Sequence, residues 1–121
     1  MREERLRTLD SLRSTPAITL SAWRGRSGRR YVVGIHDLAE PDLMEMDDAV
    51  VIAVRRDGAG IAQPVSVTSS GIGPRERLMQ GWLAHVARSG ATEMHIHRLA
   101  EGEDGRRAVI EDLDIRPVTQ N

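Results

Sequence analysis

Residues 50–54 read Val50-Val51-Ile52-Ala53-Val54, a continuous apolar run in which four of the five side chains are β-branched. A run of this kind, with charged residues beyond its ends, is typical of a strand buried on both faces. The turn-forming Asp57-Gly58-Ala59-Gly60 follows, and residues 64–68 then alternate apolar and polar side chains. The sequence therefore predicts a hairpin with a central strand and a more exposed partner, whose Val65 and Val67 face inward.

A second hairpin is predicted upstream of the first. Strand-like runs at residues 17–23 and 30–35 flank the turn-rich Arg24-Gly25-Arg26-Ser27-Gly28-Arg29. Residues 2–13 are rich in helix formers and carry an apolar stripe that ends before Thr15-Pro16. We expect that this segment is either a short amphipathic helix that packs on the rest of the protein or a frayed N-terminal arm. The acidic stretch 36–48 is consistent with a loop containing one helical turn.

The clearest helix in the sequence begins near Pro74, which fits the first helical turn because its missing N–H is not needed there. An apolar face at helical spacing follows and Gly90 is suited to the C-terminal cap; the face comprises Leu78, Met79, Trp82, Leu83 and Val86. Residues 93–99 read as a strand with Met94 and Ile96 on one face and His95 and His97 on the other. Residues 106–113 fit either a helix or a strand, and the stripe of Ala108, Val109 and Leu113 favours the helix.

These elements predict an α+β fold, a small antiparallel or mixed sheet with flanking helices. The length of 121 residues suits a single domain. We expect an N-terminal helix or arm over residues 1–15 and one α+β domain over residues 16–121.

Composition excludes several classes of protein. The chain has no Cys, so it has no disulfide framework, thiol nucleophile or thiolate metal site. No apolar run approaches the roughly 20 residues of a membrane span, and the N-terminus lacks the apolar core of a signal peptide. We therefore expect a cytoplasmic protein that does not associate with membranes.

The formal net charge of −1 conceals alternating blocks of charge. Residues 1–35 are strongly basic and residues 36–54 hold acids and no Arg, while 55–98 are basic and 99–121 acidic. Such blocks are typical of complementary solvated faces or of segments that pack on each other. The alternative is that a basic block forms a patch that binds an anionic partner. The charge pattern fits both interpretations.

Two places in the sequence are candidate anion sites. Residues Gly71 and Gly73 lie in a polar loop before the predicted helix, where exposed N–H groups and the nearby Arg75 and Arg77 would attract an anion. The second candidate is the first hairpin, where Trp23 and Tyr31 lie at the edges of a group of arginines; arginine together with aromatic rings suits phosphate contact and base stacking. The arginines are Arg24, Arg26, Arg29 and Arg30.

A metal site is suggested by His95-x-His97, because strand alternation puts both imidazoles on one face. His85 or Glu93 could supply a third ligand. The alternative is a pair of histidines on a half-exposed strand face, with no metal.

The order of segments resembles the small bacterial proteins of the GIY-YIG nuclease-like superfamily, over roughly residues 22–121. The resemblance is carried by the first turn, the 49–54 and 65–67 strands, the helix bearing Arg75 and Arg77, and the Arg106-Arg107-Ala108-Val109-Ile110-Glu111-Asp112-Leu113 segment. Both signature tyrosines are absent, because Ala49-Val50-Val51 and Val65-Ser66-Val67 stand where the two motifs should be. Tyr31, the one tyrosine, lies upstream in another strand.

The resemblance implies a catalytically degenerate domain that binds nucleic acid or a protein and needs no cofactor. An alternative is a surviving Mg²⁺-dependent endonuclease, in which Glu111 would hold the metal and Arg75 or Arg77 would neutralise phosphate charge. A third possibility, from a different class, is an accessory or structural protein that assembles through its opposite charge blocks.

Overall fold

The computed structural model describes residues 3–5, 19–39, 48–70 and 76–115. Within these ranges it has six strands and two helices, in the order β1 (Glu3–Arg5), β2 (Leu20–Arg24), β3 (Arg30–Asp37), β4 (Ala49–Arg56), β5 (Ala62–Ser70), α1 (Glu76–Arg88), β6 (Glu93–His97) and α2 (Gly102–Leu113). All strands belong to one antiparallel sheet of order β1-β2-β3-β6-β4-β5. The predicted α+β class is confirmed.

Strand β4 is buried on both faces, as its unbroken apolar run predicts. Residues 49–54 have no exposed surface, because α2 covers one face of the sheet and α1 the other. Val50, Ile52 and Val54 pack on the α2 side with Trp23, Tyr31, Val33, Val109 and Leu113. Ala49 and Val51 pack on the α1 side with Met79, Leu83, Met94 and Ile96.

The sheet is strongly curled. Strands β1 and β4 have three strands between them in the sheet, yet Glu3 of β1 and Arg56 of β4 are joined by contacts of 3.1 Å. Because neighbouring strands are about 4.8 Å apart, these two strands would be roughly 19 Å apart in a flat sheet. The curl therefore creates a concave face, which α2 partly covers.

The β4–β5 hairpin contains an irregularity that changes the direction of one side chain. The register shifts between Ala53 and Val54 as a β-bulge would shift it. Val65 consequently packs with Ala53 beneath α1, whereas Val67 packs against the cluster on the α2 side. The prediction that Val65 and Val67 share an inward face is wrong, since a bulge breaks the period of two.

Among the side chains that the structure describes, which exclude that of Leu78, the two helices have the predicted apolar faces with one exception. In α1 the side chains of Met79, Leu83 and Val86 are buried, and Gly90 follows with a φ of 95°. In α2, Val109 and Leu113 are buried, but Ala108 is exposed and Arg106 is buried in its place. Arg106 forms an ion pair with Asp48, which explains how a charged side chain is accommodated there.

Several predicted boundaries differ from the structure; for example, β3 extends to Asp37, within the predicted acidic loop, and α2 begins at Gly102 rather than at residue 106. Glu3–Arg5 form a strand, which pairs with β2, so the helix predicted over residues 2–13 is wrong at those positions. The remainder of that segment, most of the acidic stretch and the Gly-rich loop before α1 lie outside the described residues. The strand predicted over residues 93–99 ends at His97, and Leu99 is 73% exposed.

Among the described residues, no helix is long and apolar enough to cross a bilayer.

Candidate functional site

The arginines of the first hairpin lie on one tight turn, residues 24–30, which we call the basic turn. Arg24 and Arg30 are opposite each other at the ends of β2 and β3. The Gly25 N–H donates to the Arg29 carbonyl at 2.8 Å, and the Gly28 N–H donates to the Gly25 carbonyl at 3.0 Å. Gly28 has a φ of 88°, a conformation that glycine adopts without strain. All the arginines of the turn are exposed.

Asp112 of α2 fixes the basic turn in place. Its carboxylate accepts hydrogen bonds from the Ser27 N–H at 2.8 Å, the Ser27 hydroxyl at 2.7 Å and the Tyr31 hydroxyl at 2.7 Å. The turn approaches so closely that a Cβ on Gly25 would lie 2.2 Å from the carboxylate, which explains the glycine there. These hydrogen bonds from Ser27 and Tyr31 lower the pKa of Asp112. Burial and the bond to Asp112 raise the pKa of Tyr31.

The charges of the basic turn are only partly offset by acidic groups. Glu4 accepts from Arg24 at 3.0 Å and from Arg30 at 2.9 Å, and these hydrogen bonds lower the pKa of Glu4. Arg26 donates to the main-chain oxygen of Glu111 at 3.5 Å, an atom that carries no formal charge. The guanidinium groups of the turn thus outnumber the Glu4 and Asp112 carboxylates that contact it, and the surface is basic.

A second group of polar side chains lies on the concave face of the sheet. We call it the interior cluster; it comprises Glu3, Trp23, Arg56, Glu93 and His95. Arg56 binds the carboxylate of Glu93 through two hydrogen bonds of 2.8 Å and that of Glu3 through two of 3.1 Å. His95 has no exposed surface, and its Nε2 lies 2.9 Å from Glu93.

The hydrogen bonds of His95 determine its protonation state. The indole N–H of Trp23 donates to His95 Nδ1 at 2.9 Å, and an indole nitrogen can only donate. His95 Nδ1 must therefore carry a lone pair, and Nε2 carries the proton that is donated to Glu93. Burial lowers the pKa of His95, which is consistent with this neutral form. Both ring nitrogens are engaged within the protein, so this arrangement orients His95 and occupies the atoms that a metal or substrate would need.

Of the predicted metal ligands, Glu93, His95 and His97 lie on β6, whereas His85 lies on α1 and Glu111 on α2. His95 and His97 share a face, as predicted, but both are buried rather than half-exposed. His97 Nδ1 lies 2.8 Å from the Val32 carbonyl oxygen, and its ring meets the edge of Tyr31. Glu111 is exposed on α2 beside the basic turn. Across the described ranges, no group of three or more His, Cys, Asp or Glu side chains is placed to hold a metal ion.

The other predicted anion site is the polar loop before α1, which lies outside the described residues. Gly71, Gly73 and Arg75 lie outside the described residues, and so does the side chain of Arg77, although its backbone belongs to α1. The structure does bring together residues of two different predicted sites. Glu111, the predicted metal ligand, adjoins Arg26 of the predicted anion site in the basic turn. The roles of Glu3, Arg56 and Asp112 are not apparent in the sequence, since their partners are distant along the chain.

Comparisons with known proteins yield no relative for this chain. No family model, no curated protein and no solved structure matches it significantly. The resemblance to the GIY-YIG nuclease-like superfamily therefore stays a prediction.

The interior cluster makes the stability of the protein sensitive to acid. Hydrogen bonds from Arg56 lower the pKa of Glu93 to about 2 from its ordinary 4.5, although burial opposes them, so its stabilising contribution is lost as the pH falls from 4.5 towards 2. His95 resists protonation in the folded state, so stability also falls once the pH drops below 6.5, where the unfolded chain takes up the proton. We expect the free energy of unfolding to decrease steadily from pH 7 to pH 3.

Urea denaturation at a series of pH values measures this dependence. The lowered pKa values of Glu3, Glu4 and Asp112 act in the same direction, so the informative comparison is between variants. In Glu93→Gln the decrease between pH 4.5 and pH 3 should be shallower than in the wild type. Equal slopes in the two proteins would contradict the assignment to Glu93.

Proposed function

We propose that this protein is a non-catalytic nucleic-acid-binding module that contacts the phosphate backbone through the basic turn. The observation that carries the proposal is the attachment of an exposed, arginine-rich turn to α2 by Asp112. A guanidinium group presents paired N–H donors that match phosphate oxygens. Because Asp112 already orders the backbone of the turn, less conformational entropy is lost on binding.

The structure also limits the kind of contact that the turn can make. Trp23 has no exposed surface and Tyr31 is 7% exposed, because both pack in the core on the α2 side. The prediction that these aromatic residues stack on bases is therefore wrong for both. Recognition through arginine and phosphate alone is independent of sequence, and we expect double-stranded DNA to bind at least as well as single strands.

Salt dependence of DNA binding is the test of this proposal. We expect a labelled duplex to bind at 50 mM salt, with an affinity that falls steeply as salt is raised, measured by fluorescence anisotropy. Arg26→Gln and Arg29→Gln should each weaken binding about threefold to tenfold and reduce the slope of log affinity against log salt by about 1. The matched control is Arg107→Gln, since Arg107 is an exposed arginine of α2 that pairs with Glu103.

Three results would contradict the proposal. The first is no binding of duplex or single-stranded DNA or RNA at low salt. The second is an equal loss of affinity in the Arg107 control. The third is cleavage of plasmid DNA with Mg²⁺ that disappears in Glu111→Gln, since it would identify the protein as a nuclease with Glu111 beside the basic turn.

A further inference from the structure

Strand β1 is a very short edge strand whose described side chains form ion pairs with arginines of other strands. It has three residues, and each pairs with one residue of β2. Three residues of strand pairing contribute little stability by themselves. Among the described side chains of β1, the two glutamates form ion pairs with the rest of the protein.

The glutamates of β1 point to opposite faces of the sheet and meet different arginines. Glu3 points into the concave face, where its carboxylate is 9% exposed and receives two hydrogen bonds from Arg56. Glu4 points outward, where Arg24 and Arg30 hold its carboxylate from both sides. Because adjacent strand residues alternate in direction, two consecutive acidic residues in an extended segment can contact all three arginines.

The groups that recognise β1 all belong to other strands. Arg24 and the backbone edge come from β2, Arg30 comes from β3 and Arg56 comes from β4. Arg56 also remains bound to Glu93 through two hydrogen bonds of 2.8 Å, so its charge would keep a partner if Glu3 left. The edge of β2 with these arginines is thus a preformed receptor for an acidic extended segment.

We propose that this receptor, the β2 edge with Arg24, Arg30 and Arg56, binds an extended peptide that contains two consecutive glutamates, and that β1 occupies it in cis. A partner's peptide would add a strand to the sheet in place of β1, with backbone hydrogen bonds for affinity and the arginines for specificity. Because β1 and β2 belong to the same chain, β1 competes as an intramolecular ligand that a free peptide must displace. The apparent affinity for the peptide is reduced by the fraction of receptor that β1 occupies.

A direct test uses the full chain and a labelled, acetylated peptide with the sequence of residues 2–6, Arg-Glu-Glu-Arg-Leu, followed by fluorescence anisotropy. Glu3→Gln weakens the competitor in cis without leaving Arg56 alone, and we expect it to bind the peptide about tenfold more tightly than the wild type does. Glu4→Gln should give a smaller gain in the same direction, because its pairs are exposed. The control is Glu103→Gln, whose carboxylate is 77% exposed on α2 and which should bind as the wild type does.

The peptide itself supplies a second comparison. A peptide with Gln in place of both glutamates should bind the Glu3→Gln protein at least tenfold more weakly than the acidic peptide.

Circular dichroism establishes whether each variant is folded. If Glu3→Gln does not fold, Glu4→Gln still tests the site. The proposal is overturned if neither variant gains affinity over the Glu103 control, or if both peptides bind equally. Light scattering that shows a dimer in place of peptide binding would overturn it too, and would identify the occupant as β1 of a second copy. None of these measurements involves nucleic acid, so the two proposals fail independently.

Discussion

Replacement of Arg56 by alanine is expected to lower the free energy of unfolding by about 3 kcal/mol, because it leaves two largely buried carboxylates without their cation. Arg56 donates hydrogen bonds to both Glu3 and Glu93, and all three side chains are no more than about one-fifth exposed. These hydrogen bonds also raise the pKa of Arg56. Without Arg56 the two carboxylates would face each other on the concave side of the sheet, close to the neutral His95.

Arg55 provides the matched control for this prediction. It is the neighbouring residue of β4 and also an arginine, but it points to the exposed side and bonds to Gln63. Arg55→Ala should change the free energy of unfolding by no more than about 0.5 kcal/mol. Urea denaturation followed by circular dichroism measures both variants. A similar effect of the two substitutions would show that the interior cluster does not stabilise the fold.

The second large effect is expected at the centre of the sheet. Ile52 has no exposed surface, is paired with Val67 of β5 and His95 of β6, and belongs to the buried cluster that α2 completes. Ile52→Ala removes buried methyl and methylene groups and leaves a cavity that the strands on either side of β4 prevent from collapsing. We expect a loss of about 2–5 kcal/mol in the free energy of unfolding.

A surface isoleucine gives the comparison for Ile52. Ile61 lies in the turn before β5 and is 60% exposed, so Ile61→Ala should be within about 0.5 kcal/mol of the wild type. Thermal or urea denaturation of the two variants provides the measurement. If Ile52→Ala were as mild as Ile61→Ala, β4 would not be the centre of the core.

The parts of the fold that could be predicted are those in which local sequence determines local structure. An unbroken β-branched run predicts a doubly buried strand, and the structure confirms it for residues 49–54. The α1 face of Met79, Leu83 and Val86 follows from helical spacing in the same way. Strand alternation also gave the opposite faces of Met94 and His95 correctly. In contrast, the sequence does not predict β1, because three residues are too few to show a periodicity. The bulge at Val65 is likewise not predicted, because it is defined by how β5 pairs with β4.

The candidate site was predictable only in part, for a related reason. The density of arginine in residues 24–30 marks the basic turn directly. What holds that turn is Asp112, which is 85 positions from Ser27, and no local pattern connects the two. Likewise, strand alternation places Glu93 on the same face as His95, but Glu3 lies in a segment predicted as a helix, and the curl of the sheet is what brings Glu3, Arg56 and Glu93 together. The burial of Trp23 and Tyr31 depends on how α2 packs, which the sequence of the hairpin does not contain.

The long-range contacts of Glu3 have a consequence for the order in which the protein folds. Its ion-pair partner Arg56 is 53 positions away, and Arg56 is itself oriented by Glu93, a further 37 positions along the chain. Closing such large loops is entropically unfavourable until the intervening strands have assembled. Strand β1 can therefore complete its contacts only after β4 and β6 are in place, although it precedes both of them in the chain.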